Sequence, residues 1–290
     1  MVAAGLARVD DIPANSLQRV FRGQRISICI VEPPDKLLDA EAGHFRIVYE
    51  DPWLIVIDKP AGIVVHPVGD FQSGALTNAL QQHLDSQTAA RGLLRAGIVH
   101  RLDRMTSGLM VVTKEHQVHR LLSLDFPEGR LAKSYVALVE GCVPFDERTI
   151  DLPIGQHPGG RSVLMSARSD ASGRRPARTK VTVLERRQRI TLVECRLYTG
   201  RNHQIRVHLA EIGHPVLGDE FYGPQGAIRC MPREESAPRA ASRHALHAAR
   251  LGFRHPLLDA WLEFQSVPPA EFFTSTPNSG PRASELQSVD

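Results

Sequence analysis

The chain has 290 residues, 42% of them hydrophobic and 23% charged, with a net charge of +3; this length and composition can bury a substantial core and fit one large domain or two. No apolar run approaches the length of a membrane span, and acids and a proline interrupt the N-terminus where a secretory signal needs an unbroken apolar core, so a cytoplasmic protein is expected. Cys29, Cys142, Cys195 and Cys230 lie far apart with no Cys-x-x-Cys pair, which argues against a zinc knuckle and against a disulfide framework.

Residues 15–31 alternate in polarity and carry a glycine turn, predicting a short hairpin. Residues 33–43 are polar and marked by Pro33 and Pro34, as in a linker. Apolar alternating segments at 45–49 and 53–57 open the main domain. The spacing predicts helices over 75–84 and 116–126, the second with Val118, Leu121, Leu122 and Leu124 on its apolar face. The run 109–112, Leu-Met-Val-Val, is short and valine-rich, so it reads as a buried strand. Further strands are expected at 134–140, 180–185 and 190–198, the last two joined at a hairpin tip of residues 186–189. Asn202 is placed to cap a helix over 203–212 that buries Ile205, Leu209 and Ile212. After Gly280 the apolar pattern ends, and a disordered tail is expected. The result is an α+β domain, a mixed sheet with helices on it.

Two features bear on chemistry. His100-Arg101-Leu102-Asp103-Arg104-Met105-Thr106-Ser107-Gly108 places one carboxylate between two arginines at the entrance to a buried strand, where scaffolded chemistry often sits; an isolated Arg-x-Asp-Arg would read as a structural acid. Between Arg161 and Arg206 there are twelve arginines or lysines against three acids, about +9, a plausible footprint for RNA phosphates. Thirteen histidines invite a metal reading, and His116 with His119 and His244 with His247 have spacings that could share helix faces. No His-Glu-x-x-His arrangement accompanies them, so no metal site is expected.

The string from His100 to Gly108 resembles the signature of the RluA family of RNA pseudouridine synthases. Three further segments resemble that family in the expected order: residues 56–67, the run Lys133-Ser134-Tyr135-Val136-Ala137, and residues 200–219 containing Gly200-Arg201-Asn202-His203-Gln204-Ile205-Arg206. The resemblance covers about residues 46–270. It implies a pseudouridine synthase fold, a bent, mainly antiparallel sheet with flanking helices and a central RNA-binding cleft. It divides the chain into an N-terminal arm with linker at 1–45, a catalytic domain at 46–272 and a tail at 273–290. Residues 15–31 also resemble the end of an S4-type RNA-binding module whose helical half would be missing, so an added strand or a loose arm is an equal expectation. Met105 departs from the family pattern, which commonly has a polar or acidic residue there.

By resemblance, Asp103 is the catalytic residue, Arg206 is the cation that keeps it ionised, and Arg101 enters the RNA in place of an extruded base. Arg201, in the same motif, is the competing cation. Tyr135 is assigned beneath the flipped uracil, where an aromatic face lets the ring turn. Arg178, Arg187 and Arg201 are assigned to RNA phosphates. Asp103 can act as a nucleophile on the sugar or promote elimination, and the sequence does not choose. The reaction is redox-neutral and needs no cofactor. The partner implied is structured RNA, ribosomal RNA ahead of transfer RNA, with a monomer as the default. A non-catalytic RNA-binding assembly factor is the alternative from another class.

Overall fold

The structure is a computed structural model that describes residues 7–15, 17–28, 39–67, 73–88, 96–125, 131–159, 163–229 and 243–274. It divides into two compact units, Met1–Asp39 and Ala40–Asp290. Cys29, Cys230, Arg161, part of the 33–43 linker and the tail beyond residue 274 lie outside the described residues.

In the first unit, β1 (Ala7–Val9) pairs antiparallel with both β2 (Ile12–Pro13) and β3 (Ile26–Ile28). The hairpin expected at 15–31 therefore takes a different form: β3 pairs with β1, and the described residues between 14 and 25 contain no strand. Local polar contacts replace a ladder there. Asn15 Oδ1 accepts the Leu17 N–H at 2.9 Å, Gln24 Oε1 accepts the Phe21 N–H at 2.9 Å, and Asp10 Oδ1 accepts the Arg25 N–H at 2.8 Å.

Among the described residues, the second unit is built on a ten-stranded sheet. Its strands are β4 (Arg46–Glu50), β5 (Leu54–Lys59), β6 (Gly97–Ile98), β7 (Ser107–Thr113), β8 (Ala132–Glu140), β9 (Glu147–Asp151), β13 (Arg178–Arg186), β14 (Ile190–Leu197), β15 (Leu246–Arg254) and β16 (Trp261–Gln265). A small sheet of β10 (Ile154–Gln156), β11 (Met165–Ser166) and β12 (Ser172–Arg175) lies between β9 and β13 in the chain. The main path runs β4-β5-β7-β15-β8-β14-β13-β9, with β6 on β7 and β16 on β15. Every pairing in it is antiparallel except that of β7 with β15.

Strands β5 and β7 are buried on both faces, so residues 54–57, expected to alternate, instead form a continuous apolar run like that of 109–112. Ile55, Ile57, Met110 and Val112 face α1 (Leu76–Asp85), whose Leu76, Leu80 and Leu84 recur every four residues. Leu54, Val56, Leu109 and Val111 face Val118 and Leu122 of α2 (His116–Asp125). Leu124, expected on that apolar face, is 59% exposed, because two residues past Leu122 turn it about 200° around the axis. The last helices are α3 (Gln204–Glu211) and the short α4 (Glu271–Thr274), whose Phe272 is buried against Leu138, Ile190 and Leu192.

Candidate active site

Asp103 sits in the loop between β6 and β7, whose backbone is fixed by hydrogen bonds at Asp103 and Arg104. His100 Nε2 accepts the Val111 N–H at 3.0 Å; burial holds this imidazole neutral, its pKa pushed down to about 3, and so leaves the nitrogen free to accept. The Asp103 carbonyl accepts the Thr106 N–H at 3.1 Å. The Arg104 carbonyl accepts from Gly62 N at 2.8 Å and from Lys59 Nζ at 3.1 Å. Lys59 is fully buried and also donates to the carbonyls of Pro60 and Ile63. Burial pushes its pKa down to about 7 against the pull of Asp103.

The Thr106-Ser107-Gly108 turn ties this loop to β15. Thr106 Oγ1 and His244 Nε2 share a 2.8 Å hydrogen bond, as do Ser107 Oγ and His247 Nδ1. Gly108 has φ +113°, and a Cβ there would lie 2.3 Å from the Ala248 carbonyl oxygen, so the parallel approach of β7 to β15 requires glycine. His244 and His247 do not share a helix face: His247 lies in β15 and His244 just before it, each on a hydroxyl. His208 likewise meets Thr179 Oγ1 at 2.9 Å and the Leu152 carbonyl at 2.9 Å.

Arg206, in the first turn of α3, brings the charge. Its Nη1 donates to Asp103 Oδ2 at 2.9 Å, while Nε and Nη2 grip Asp219 Oδ2 and Oδ1 at 2.7 and 2.9 Å. Asp219 is held in turn by the N–H groups of Phe221 and Tyr222 at 3.0 and 3.2 Å. The guanidinium carbon lies 5.3 Å from the Phe221 ring centre and 5.1 Å from that of Tyr222. Asn202 does not cap this helix. The cap position is His203, with a left-handed φ of 53° and no side-chain cap bond, and Gln204 Oε1 takes the Arg201 N–H at 2.9 Å instead.

His203 faces the same carboxylate, its Nε2 lying 3.9 Å from Asp103 Oδ1. Its Nδ1 is 2.7 Å from the Tyr222 hydroxyl, which accepts the Met165 N–H at 3.0 Å. Burial raises the Tyr222 pKa, so the phenol keeps its proton and directs it to Nδ1; the single N–H of the neutral imidazole then resides on Nε2, toward Asp103. Burial pushes Asp103 toward the neutral acid, but His203, Arg206 and His244, with the Arg206 hydrogen bond, hold its carboxyl well below the usual range. Burial lowers the pKa of His203 and brings that of His244 down to about 4, so near neutral pH the lasting cation is Arg206.

Asp103, Tyr135, Arg101, Arg201 and Arg206 line one hollow, with Ile205 in its wall. It adjoins a wider cleft of about 400 Å³ that His100, Lys133 and Thr199 help to line. Tyr135 is 8% exposed, and burial, with Asp103 nearby, raises its pKa, so the hydroxyl enters protonated. Arg178, at the start of β13, lies over Tyr198 and does not line the hollow. Arg187 is not brought to this end of the sheet. It lies past the far end of β13, roughly 30 Å away at the rise of an extended strand, pairs with Glu185 at 2.8 Å and donates to the Phe272 carbonyl at 3.1 Å.

Sequence reasoning gave no role to Asp219, His203, Lys59 or Tyr222. Asp219 carried a usable signal, as an acid directly after a glycine and just before the aromatic pair Phe221-Tyr222 in a motif already quoted.

An ionised carboxylate braced by a buried arginine shares a basic hollow with a protonated tyrosine, an arrangement that suits an enzyme with a polyanionic substrate. The RNA pseudouridylate synthase family model matches residues 53–211. An uncharacterized RNA pseudouridine synthase of Aquifex aeolicus is 38% identical over 275 residues, 94% of this chain and 85% of the relative. Ribosomal large subunit pseudouridine synthase D of Neisseria meningitidis serogroup A is 37% identical over 94% of this chain and 71% of its own length. Human RNA pseudouridylate synthase domain containing 4 superposes with a TM-score of 0.62 at 26% identity, over 79% of this chain and 90% of that one. The chain belongs to the RNA pseudouridylate synthase family, in its RluA branch. It is an RNA pseudouridine synthase, an isomerase that moves uracil from an N1 to a C5 linkage.

Proposed function

We propose that this enzyme isomerises specific uridines of large-subunit ribosomal RNA, with Asp103, Tyr135 and Arg206 as its working residues. The observation that carries the site assignment is the 2.9 Å contact between Arg206 and Asp103, the one carboxylate lining the cleft among the described residues. The relatives named for the ribosomal large subunit supply the substrate class.

A uridine inside a helix must leave the stack to reach Asp103, which fits a cleft rimmed by Arg101 and Arg201. Arg101 fills the vacated space and Arg201 contacts the backbone. The N1–C1′ bond then breaks, the uracil turns against Tyr135, and C5 bonds to C1′; the proton lost from C5 is balanced by one gained at N1. Asp103, already ionised, serves this either by attacking C1′ or by promoting elimination from the sugar. Tyr135 supplies an aromatic face and, being protonated, a hydrogen-bond donor.

Mapping pseudouridine across total RNA from cells with and without the gene tests the substrate, with an Asp103→Asn strain as control. Loss of particular pseudouridines from large-subunit ribosomal RNA in both the deletion and the Asp103→Asn strain is expected. Loss confined to transfer RNA would overturn the substrate, and unchanged modification in the Asp103→Asn strain would overturn the site.

A further inference from the structure

Beside the cleft lies a second cationic feature, on the rim where β14 ends. Tyr198 is 40% exposed, and the guanidinium carbons of Arg178 and Arg196 lie 5.1 and 5.6 Å from its ring centre. Resting two guanidiniums on one ring limits their motion, so less freedom is lost when they bind an anion.

The backbone of this cluster is pinned to the start of the catalytic helix. Arg178 N donates to Thr199 Oγ1 at 2.9 Å, and the Arg178 carbonyl accepts from Tyr198 N at 3.2 Å and Gln204 Nε2 at 3.1 Å. Leu197 and Thr199, on either side of Tyr198, line the cleft, and Arg201 in the cleft wall donates to the Pro176 carbonyl at 3.0 Å. The cluster is thus continuous with the cleft.

The arginines of the hairpin differ in how they are paired. At the far end Arg186 pairs with Asp146 at 2.6 Å and Arg187 with Glu185 at 2.8 Å. At the cleft end, Arg178 and Arg196 form no ion pair among the described residues, while Lys180 pairs with Glu147 at 2.9 Å. Arg196 stands directly opposite Lys180 across the β13–β14 ladder, a like-charge placement that costs stability. The guanidiniums of Arg186 and Arg187, remote from the cleft, are neutralised, whereas those of Arg178 and Arg196, which adjoin it, are left open.

We infer that Arg178, Tyr198 and Arg196 form a second RNA contact, which clamps a backbone phosphate of the nucleotides flanking the target uridine. The inference rests on the proposed RNA substrate and extends its footprint beyond the extruded base. Recognition is by charge and not by base, so the site adds affinity and orientation without reading sequence.

The test uses the full-length protein and a fluorescently labelled transcript of a large-subunit ribosomal RNA segment. Pseudouridine formation by the wild type on that transcript is assayed first. Affinity by anisotropy is then compared across a potassium chloride series for Arg178→Gln, Arg196→Gln, Tyr198→Ala and Tyr198→Phe, with Arg254→Gln as a charge-matched control and melting temperatures to confirm folding. Each Arg→Gln change at the clamp is expected to weaken binding about 3- to 10-fold and lower the salt slope by about one. Tyr198→Phe keeps the ring and should bind like the wild type, while Tyr198→Ala should weaken binding. Wild-type affinity and slope in both clamp variants, with pseudouridine still formed by the wild type, would overturn the clamp and leave the enzyme's assignment standing. Equal losses from Tyr198→Phe and Tyr198→Ala, or from Arg254→Gln and the clamp variants, would also overturn it. A wild type that forms no pseudouridine, with clamp variants that still lose slope, would keep the clamp and remove the ribosomal transcript as substrate.

Discussion

Arg206 holds Asp103 with one nitrogen, at 2.9 Å, and Asp219 with the other two, so a single guanidinium is shared between two carboxylates of which only Asp103 is open to the cleft. Its side chain is 3% exposed. Burying a cation on this scale is costly unless it is paired, and Asp219 provides that pairing whether or not Asp103 is engaged with substrate.

Replacing Asp103 by Asn should therefore remove activity and spare the fold. Turnover is expected to fall on the order of 10³-fold or more, while Arg206 keeps its fork on Asp219 and the stability loss stays within about 1–3 kcal/mol, the range for one charged hydrogen bond. Tritium release from C5-labelled uridine RNA and a urea melt check both. Wild-type turnover in a homogeneous Asp103→Asn preparation would remove Asp103 from the chemistry.

The two neighbours should move the pH profile in opposite directions. Arg206→Ala takes away the cation that lowers the Asp103 pKa, so the acidic limb of the single-turnover rate should shift upward. Asp219→Asn removes a negative charge from the same guanidinium and should shift that limb downward. Asp219→Ala should also destabilise the protein by about 3–5 kcal/mol, the usual cost of stripping a partner from a buried ion pair. Limbs that move together, or not at all, would break the proposed coupling.

Acid stability gives a measurement independent of RNA. Burial brings His100 and His244 to pKa values of about 3 and about 4 in the folded protein, from an ordinary 6.5. Their contribution is complete above pH 6.5 and is lost as the pH falls toward the folded values, since the unfolded chain binds these protons first. Between pH 6 and 4.5 stability should fall by up to about 1.4 kcal/mol per pH unit for each of the two residues. Urea midpoints across this range check it, and a flat profile would show that neither imidazole is held neutral.

Gly108→Ala should be among the most damaging single-methyl additions. The left-handed φ costs about 1–3 kcal/mol, and pressing a methyl against Ala248 costs a similar amount. The loss should be read both in the melting temperature and in activity, because the displaced strand carries the Asp103 loop. An alanine variant as stable as the wild type would mean that β7 and β15 do not approach as described.

The elements were legible where one physical signal dominated. Leu109 to Val112 lies on a strand buried on both faces, and such strands announce themselves as unbroken apolar runs. The hairpin of β13 and β14 showed its tip in a cluster of arginines. Asn202 misled because a left-handed His203 opens α3, and a strained cap leaves no mark in a single sequence. Arg178 and Arg187 looked equivalent because a charge count along the chain ignores the length of an extended strand between them. His203 was unreadable for another reason, and Asp219 showed only as an acid between a glycine and an aromatic pair: their roles arise from contacts with Arg206 and Tyr222 across turns whose geometry no spacing rule gives.

The place of β15 in the strand order has a consequence for timing. It lies between β7 and β8, so without it the sheet separates into β4-β5-β7, which leads from the Asp103 loop, and β8-β14-β13-β9, which carries Tyr135. His244 and His247, the residues that hold Thr106 and Ser107, arrive with that strand, after Asp103, Tyr135 and Arg206 in chain order. A nascent chain lacking residues 244–254 has Asp103, Tyr135 and Arg206 but not the strand that joins the two parts of the sheet, so activity must wait until that strand is in place.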